Sequence, residues 1–289
     1  MIVGMDHVVV LVNDIDTGAA AYQALLGRAP AWRAAREGSQ TVLFALDNVS
    51  LELMAPAGES DVAERIRAVL GRQGEGLASL CFKVGDIDAM HRRLERLALE
   101  PDPVTAVDSR DAATGATLSW RRTRAATAQA GGVRLFFIEL SQPRPASTAT
   151  AEPAIAALDH LVVATADPEA AAALYGARLG LDMALDRSHP EWGRLMFFRC
   201  GDLVVEVTHR PGKQPSATRD RLAGLCWRAA DLDATRARLV AAGIEVSEVR
   251  PGRKPGTKVA TVRSHACGVP TLLIQPAPPL QEAAQLAGS

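Results

Sequence analysis

Four times along the chain an apolar run of strand character gives way to an acidic residue and then to apolar positions at helical spacing. MDHVVVLVNDID (5–16) is the first start, and LDHLVVATADPE (158–169) repeats it. The same interval separates His7 from His160 and Asp14 from Asp167. LASLCFKVGDIDAMHRRL (77–94) and LAGLCWRAADLDATRARL (222–239) form a second matching pair. Internal repeats of this kind fix architecture before any single residue is interpreted. Ile87, Met90, Leu94 and Leu97 fall on one helical stripe, as do Leu232, Thr235, Leu239 and Ala242, which predicts helices laid on a sheet. Asp14 or Asp16, Asp86 or Asp88, Asp167 before Pro168, and Asp231 or Asp233 are the expected N-caps. Gly27, Gly180 and Gly243 stand where helix-ending glycines occur.

Strands follow each helix. SQTVLFAL and NVSLELMA close the first unit, ATLSWRRT and VRLFFIEL the second, GRLMFFRC and DLVVEVTH the third, and KVATVRS and VPTLLIQP the fourth. A further strand directly after each helix, as in APAWRAA and LDMALDR, makes every unit βαβββ. The stretch QPRPASTATAEPAIAA (142–157) lacks any period and is rich in Pro, Ser, Thr and Ala, so it predicts a linker. The expected divisions are a first domain at 1–143 (units 1–74 and 75–143), a linker at 144–156, a second domain at 157–277 (units 157–215 and 216–277) and a tail at 278–289. LQEAAQLA in the tail has a short helical pattern. The class is α+β, with paired units forming a curved mixed sheet, helices outside and a concave face within.

Carboxylates interrupt the closing strands. Glu52 lies within VSLELM, Glu139 within LFFIEL and Glu206 within LVVEV, and matching GVRLFFIE with GVPTLLIQ puts Gln275 opposite Glu139. A charged carboxylate among apolar residues is costly unless solvated, paired or metal-bound. Each Glu is therefore a solvated edge residue, a partner for Arg, or a ligand that converges with His7 or His160 from a neighbouring strand. Imidazole with carboxylate suits Zn, Ni, Mn, Co or Fe. His7 and His160 read equally as neutral core histidines.

Composition narrows the field. A net charge of −1 argues against general nucleic-acid or anionic-membrane binding. No apolar run reaches the ~20 residues of a membrane span, and MIVG runs directly into a strand without a charged leader, so the expected location is cytoplasmic. Cys81, Cys200, Cys226 and Cys267 form no CxxC pair and read as buried free thiols.

DHVVVLVNDID, DHLVVATADPE, the two LA-x-LC strands and the closing strands ending in Glu or Gln together resemble the vicinal oxygen chelate superfamily, the glyoxalase, bleomycin-resistance and extradiol-dioxygenase group. The resemblance covers nearly the whole chain outside linker and tail, and implies two tandem glyoxalase-like domains. It implies ligands from the first and last strands of the two units of a cup. Consecutive pairing offers His7, Glu52, Ser79 and Glu139, then His160, Glu206, Gly224 and Gln275. Outer-with-outer pairing offers His7, Glu52, Gly224 and Gln275, then His160, Glu206, Ser79 and Glu139. Ser79, Gly224 and Gln275 depart from the metal pattern, and the two-His, one-Glu set of a ring-cleaving dioxygenase is not met in the second half.

Two functions follow. One is a divalent-metal-assisted lyase, isomerase or dioxygenase-type enzyme acting on a small oxygenated substrate, with His7, Glu52, Glu139, His160 and Glu206 as metal ligands and Glu52 or Glu139 as general base. The other is a metal-free small-molecule binding or resistance protein with a degenerate site. Trp120, Phe136, Phe198 and Trp227 are candidate walls, and Arg121, Arg122 and Arg124 candidate contacts to an acidic substrate. Arg250, Arg253, Lys254 and Lys258 form a second basic stretch, read as a solvated loop. The chain is expected to act as monomer or homodimer.

Overall fold

The computed structural model describes residues 1–212 and 219–277. The first half runs β1 (Ile2–Leu11), α1 (Ile15–Leu26), β2 (Trp32–Arg36), β3 (Ser39–Ala45), β4 (Ser50–Pro56), α2 (Asp61–Gln73), β5 (Gly76–Val84), α3 (Ile87–Arg96), β6 (Thr105–Arg110), β7 (Thr117–Arg124) and β8 (Arg134–Leu140). The second runs β9 (Ala157–Ala164), α4 (Pro168–Ala172, extended by wider turns to Arg178), β10 (Asp182–His189), β11 (Gly193–Cys200), β12 (Leu203–His209), β13 (Arg221–Arg228), α5 (Leu232–Ala241), β14 (Arg250–Pro251), β15 (Lys258–Val262) and β16 (Thr271–Gln275). The pattern in LQEAAQLA lies outside the described residues.

Each half makes one eight-stranded mixed sheet, β2-β3-β4-β1-β5-β8-β7-β6 and β10-β11-β12-β9-β13-β16-β15-β14. Consecutive units therefore share a cup, and the outer-with-outer arrangement does not occur. The central strands β1 and β5 are antiparallel, and each runs parallel to the last strand of its own unit. That places the first and last strands of a unit side by side.

Asp14, Asp86, Asp167 and Asp231 are the N-caps, each accepting from the backbone N–H three residues on. Ile87, Met90 and Leu94 are buried, as are Leu232, Thr235 and Leu239. These stripes join one continuous core that includes the convex faces of both sheets. Arginines tie the two helical layers together. Arg238 on α5 donates to Ala24 O, Leu25 O and Pro153 O at 2.7–3.0 Å, closing the C-terminal end of α1. Arg93 on α3 donates to Ala177 O and Arg178 O, and Arg178 donates back to Leu97 O and Ala98 O. Carbonyls at helix ends have no partner within the helix, and cations suit them.

Three features depart from expectation. Helix α2 occupies a stretch to which the sequence pattern assigned no element. Ser60 caps it by accepting from Ala63 N, and Ile66, Val69 and Leu70 pack on Val9, Leu11, Met54 and Ala78. Those strand residues face the concave side, so α2 lies inside the first cup. The linker is tied down: Ser147 N donates to Ala45 O, Ile155 N to Leu26 O and Arg28 Nε to Ile155 O, with Ile155 fully buried. Backbone that crosses a surface needs such partners. Lastly, β14 has only two residues.

The first sheet nearly closes on itself. Trp32 Nε1 donates to Ser109 Oγ at 3.0 Å, Arg33 N to Asp111 Oδ1 at 2.8 Å and Ala112 N to Arg33 O at 2.8 Å, which joins β2 to β6. Among the described residues no hydrogen bond joins β10 to β14, and Met183 and Leu185 on β10 are exposed.

The clamp between helical layers makes a prediction. Arg238→Ala removes three charge-assisted bonds and lowers stability by about 1.5–3 kcal/mol, read as a shift in the urea midpoint with unchanged slope. An unchanged midpoint would show that Arg238 does not hold the halves together.

Candidate functional site

The floor of the first cup is built where β1 meets β4 and β5. A β-bulge skips Asp6: Met5 pairs with Phe82 and His7 with Cys81. Bulges re-aim side chains, and here Asp6 and His7 meet. His7 Nδ1 donates to Asp6 Oδ2 at 2.6 Å, and His7 Nε2 lies 3.3 Å from Glu52 Oε2 on β4. Arg144, carried in by the linker, holds Asp6 Oδ2 at 2.6 Å. The second half repeats the bulge at Asp159. There His160 Nδ1 lies 2.8 Å from Asp159 and Nε2 lies 3.2 Å from Glu206, with Arg228 3.6 Å from Asp159.

A cavity of about 470 Å³ opens above His7. His7, Val9, Glu52, Ser79 and Cys81 form its floor, α2 contributes Val62, Arg65 and Ile66, and Trp32, Trp120, Phe136 and several arginines form its walls. Its size falls within the ~300–1,000 Å³ of small-molecule sites.

The expected ligand set converges only in part: His7 meets Glu52 and His160 meets Glu206, but Glu139 and Gln275 do not join them. Glu139 points to the convex face, 3.4 Å from Ile87 N at the start of α3 and 3.8 Å from Arg121. Gln275 does the same in the second half, accepting from Leu232 N at 2.9 Å. The cause is strand register. Val9 pairs with Glu52, and its counterpart Cys81 pairs with Phe136; Val162 pairs with Glu206, and its counterpart Cys226 with Leu272. Phe136 and Leu272 thus occupy the places given to Glu139 and Gln275. An odd slip along a strand moves a side chain to the other face. At Gly224 a Cβ would stand 2.7 Å from Pro270 O, so close backbone approach accounts for that glycine.

The other candidates divide by the same alternation. Trp120, Arg122, Arg124 and Phe136 line the cavity. Arg121 turns away and pairs with Asp88 through two bonds of 2.7 and 2.8 Å. Phe198 and Trp227 are fully buried in the core. Arg253 lies over Trp192, and Lys258 pairs with Asp233. Trp32, Arg36, Arg65, Arg134 and Arg144 reach the cavity without having been singled out. For Arg134 the signal was available, because it shares parity with Phe136. For Arg144 there was none, because its reach depends on where the linker lies.

Residues 5–157 match the family model of the glyoxalase-like domain, and residues 157–269 match that of the Glyoxalase/Bleomycin resistance protein/Dioxygenase superfamily. The chain belongs to this superfamily, the vicinal oxygen chelate group. Solved structures agree in fold. A mutant of 4-hydroxymandelate synthase from Streptomyces coelicolor superposes with a TM-score of 0.70 at 13% identity, over 95% of this chain and 93% of that one. The Mn(II)-bound glyoxalase from Novosphingobium aromaticivorans superposes at 0.65 and 14% identity, over 95% of this chain and 82% of that one. No curated protein matches the chain.

A metal of the kind bound by metal-dependent members of the superfamily needs strong donors at the floor of the cup. Among the described residues, Asp6, His7 and Cys81, and likewise Asp159, His160 and Cys226, bring donor atoms within 4.8 Å of one another. In the cup itself, however, only His7 and Glu52 of the four ligand positions carry a strong donor; Ser79 and Phe136 hold the others. Asp6 is already engaged by Arg144, whose positive charge stands where a bound cation would be repelled. The donor set of the first cup does not fit a resident metal of the implied kind.

Its electrostatics favour a charged imidazole. Burial opposes charge on His7, but the Cys81 sulfur, the Asp6 hydrogen bond and Glu52 outweigh it and raise the pKa well above the ordinary value. Burial also works against the Asp6 carboxylate, and His7 and Arg144 reverse it, holding its pKa well below the usual range. Breaking such a buried pair costs about 3–5 kcal/mol. Because the folded pKa is depressed, this stability is complete above the ordinary value near 4 and fades as pH falls below it. Urea melts of wild type and Asp6→Asn should differ most near neutrality, and the gap should begin to narrow below about pH 4 and go on narrowing as pH falls further. A gap that stays constant on acidification would show that Asp6 carries no charge in the fold.

Proposed function

We propose that the first cup binds a small oxygenated compound and that Glu52 and His7 move a proton on it, an isomerase or lyase-type reaction. One observation supports this reading above others: a carboxylate and an imidazole, 3.3 Å apart, at the floor of a cavity of about 470 Å³. A substrate carbonyl seated over His7 accepts a hydrogen bond from Nε2–H, while a carbon next to that carbonyl faces Glu52. Glu52 takes the proton as the C–H bond breaks, and the electron pair moves into the carbonyl to form an enolate. The imidazolium stabilises the oxyanion, as preorganised donors do. Asp6 fixes the ring orientation through Nδ1 and balances its charge, and Arg144 holds Asp6 in turn. Return of the proton from Glu52 to a different face or carbon gives isomerisation. Expulsion of a group from the adjacent carbon gives elimination. No step passes through a metal, in keeping with the donor set.

The second reading is a binding or resistance protein without turnover. Ser79 and Phe136 at ligand positions favour it over a metal enzyme, and the same cavity serves it.

Elemental analysis tests the metal-free premise that both share, and proton exchange separates the two. Elemental analysis after exposure to Zn, Ni, Mn, Co or Fe(II) and desalting should find no stoichiometric metal; retention abolished by His7→Ala would overturn the metal-free mechanism. Once a substrate is found by exchange of a carbon-bound proton with deuterated water, Glu52→Gln should lower the exchange rate by about 10²–10⁴-fold while the Kd changes little. Ligands that bind the cup but never exchange would leave the binding protein as the function.

A further inference from the structure

Six arginines line the first cavity, Arg36, Arg65, Arg122, Arg124, Arg134 and Arg144, against two carboxylates, Glu37 and Glu52. Two of the six are neutralised, Arg124 by Asp102 at 3.0 Å and Arg144 by Asp6. Glu52 is engaged with His7. Arg36 donates to the Asp108 carbonyl oxygen, which carries no full charge. Among the described residues, Arg36, Arg65, Arg122 and Arg134 have no carboxylate partner within an ion-pair distance. The chain as a whole has a net charge of −1, so this positive excess is local to the cup.

The guanidinium groups are interleaved with rings. Arg36 and Arg144 lie 5.0 and 5.8 Å from the centre of the Trp120 ring. Arg122 and Arg124 lie 5.7 and 5.9 Å from that of Phe136. Cations over aromatic faces hold those rings in place. Burial, and then the nearby Arg122 guanidinium, push the Arg36 pKa below its ordinary value. Two like charges share one wall, and the more distant Glu52 and Asp108 carboxylates offset their repulsion only in part. Along β8, Arg122 is level with Ile138, four residues from Arg134. At about 3.3 Å per residue the two backbone positions stand roughly 13 Å apart, with Phe136 between them on the same face.

We infer that the ligand of the first cup is a flat organic dianion, its ring on Phe136 and Trp120 and its acid groups at opposite ends, one on Arg122 and the other on Arg134. This rests on the reading that the first cup is the binding site. Guanidinium groups take carboxylate and phosphate alike, so either acid meets the requirement. Arg36, Arg65 and Arg122 are exposed and Arg134 is half-buried, so a neutral ligand covering them would take four cations from water without giving them an anionic partner.

Calorimetric titration of the full chain tests it, with terephthalate, 4-carboxyphenyl phosphate, benzoate, phenyl phosphate and benzamide as probes. The two probes with an acid group at each end, terephthalate and 4-carboxyphenyl phosphate, should bind at least about 10-fold more tightly than benzoate or phenyl phosphate, which carry one acid group each, and benzamide should not bind. Arg122→Gln and Arg134→Gln should each weaken a dianion by about 10-fold or more. Each probe with a single acid group should respond to only one of the two variants. Thermal melts of both variants check that they fold. Whether terephthalate or 4-carboxyphenyl phosphate binds better tells a dicarboxylate from a phosphate ester. Equal affinity for benzamide and terephthalate, with Trp120→Phe weakening both, would overturn the dianion and leave the cup as the site. Dianion affinity unchanged in both arginine variants, or no dianion binding at millimolar concentration, would also overturn it. Dianion binding in the cup, with proton exchange indifferent to Glu52→Gln, would instead overturn the proposed chemistry and leave the ligand class standing.

Discussion

Everything at the floor of the first cup hangs on one buried carboxylate. Asp6 is the extra residue of a bulge, so it stands where a regular strand would have turned it elsewhere. It holds His7 on one side and Arg144 on the other. An isolated carboxylate there would be expelled or protonated, and an isolated Arg144 would be no better placed. The pair is tolerable only as a unit, and as a unit it sets the ring of His7 and the course of the linker.

The second half shows what the same floor looks like with different walls. The bulge, the Asp–His contact and the His–Glu contact all recur. The walls do not: β14 is two residues long, the β10 edge is exposed, and Arg228 lies farther from Asp159 than Arg144 does from Asp6. Duplication preserved the strand geometry that brings His and Glu together. The cavity of the first half is completed by the strand closure at Trp32 and Ser109, the helix α2 and the linker arginine.

Period and capping carried the fold into view in the sequence. The four Asp caps and the two buried stripes are local features, readable from a dozen residues. Glu139 shows where such reading fails. It looks like Glu52 because both interrupt an apolar strand, yet the strands pair three residues out of step with that likeness, and an odd step reverses the face. The arginines were hidden for a related reason. Arg121 and Arg122 are adjacent in sequence and opposite in space, so a basic run says nothing of which member faces the ligand. Helix α2 escaped because glycines bound it and most of its surface is polar, while its apolar residues answer a concave face that exists only after β1, β4 and β5 have assembled.

The arginine clamps between α1 and α5 and between α3 and α4 give the second cup a standing independent of any ligand. Its helices and sheet back supply half of the interior against which the first domain is folded. Changes on the concave face of its sheet leave that interior intact, whereas loss of the domain would strip the first of its inner lining. A duplicated half can thus drift in chemistry while selection continues to hold it in place as architecture.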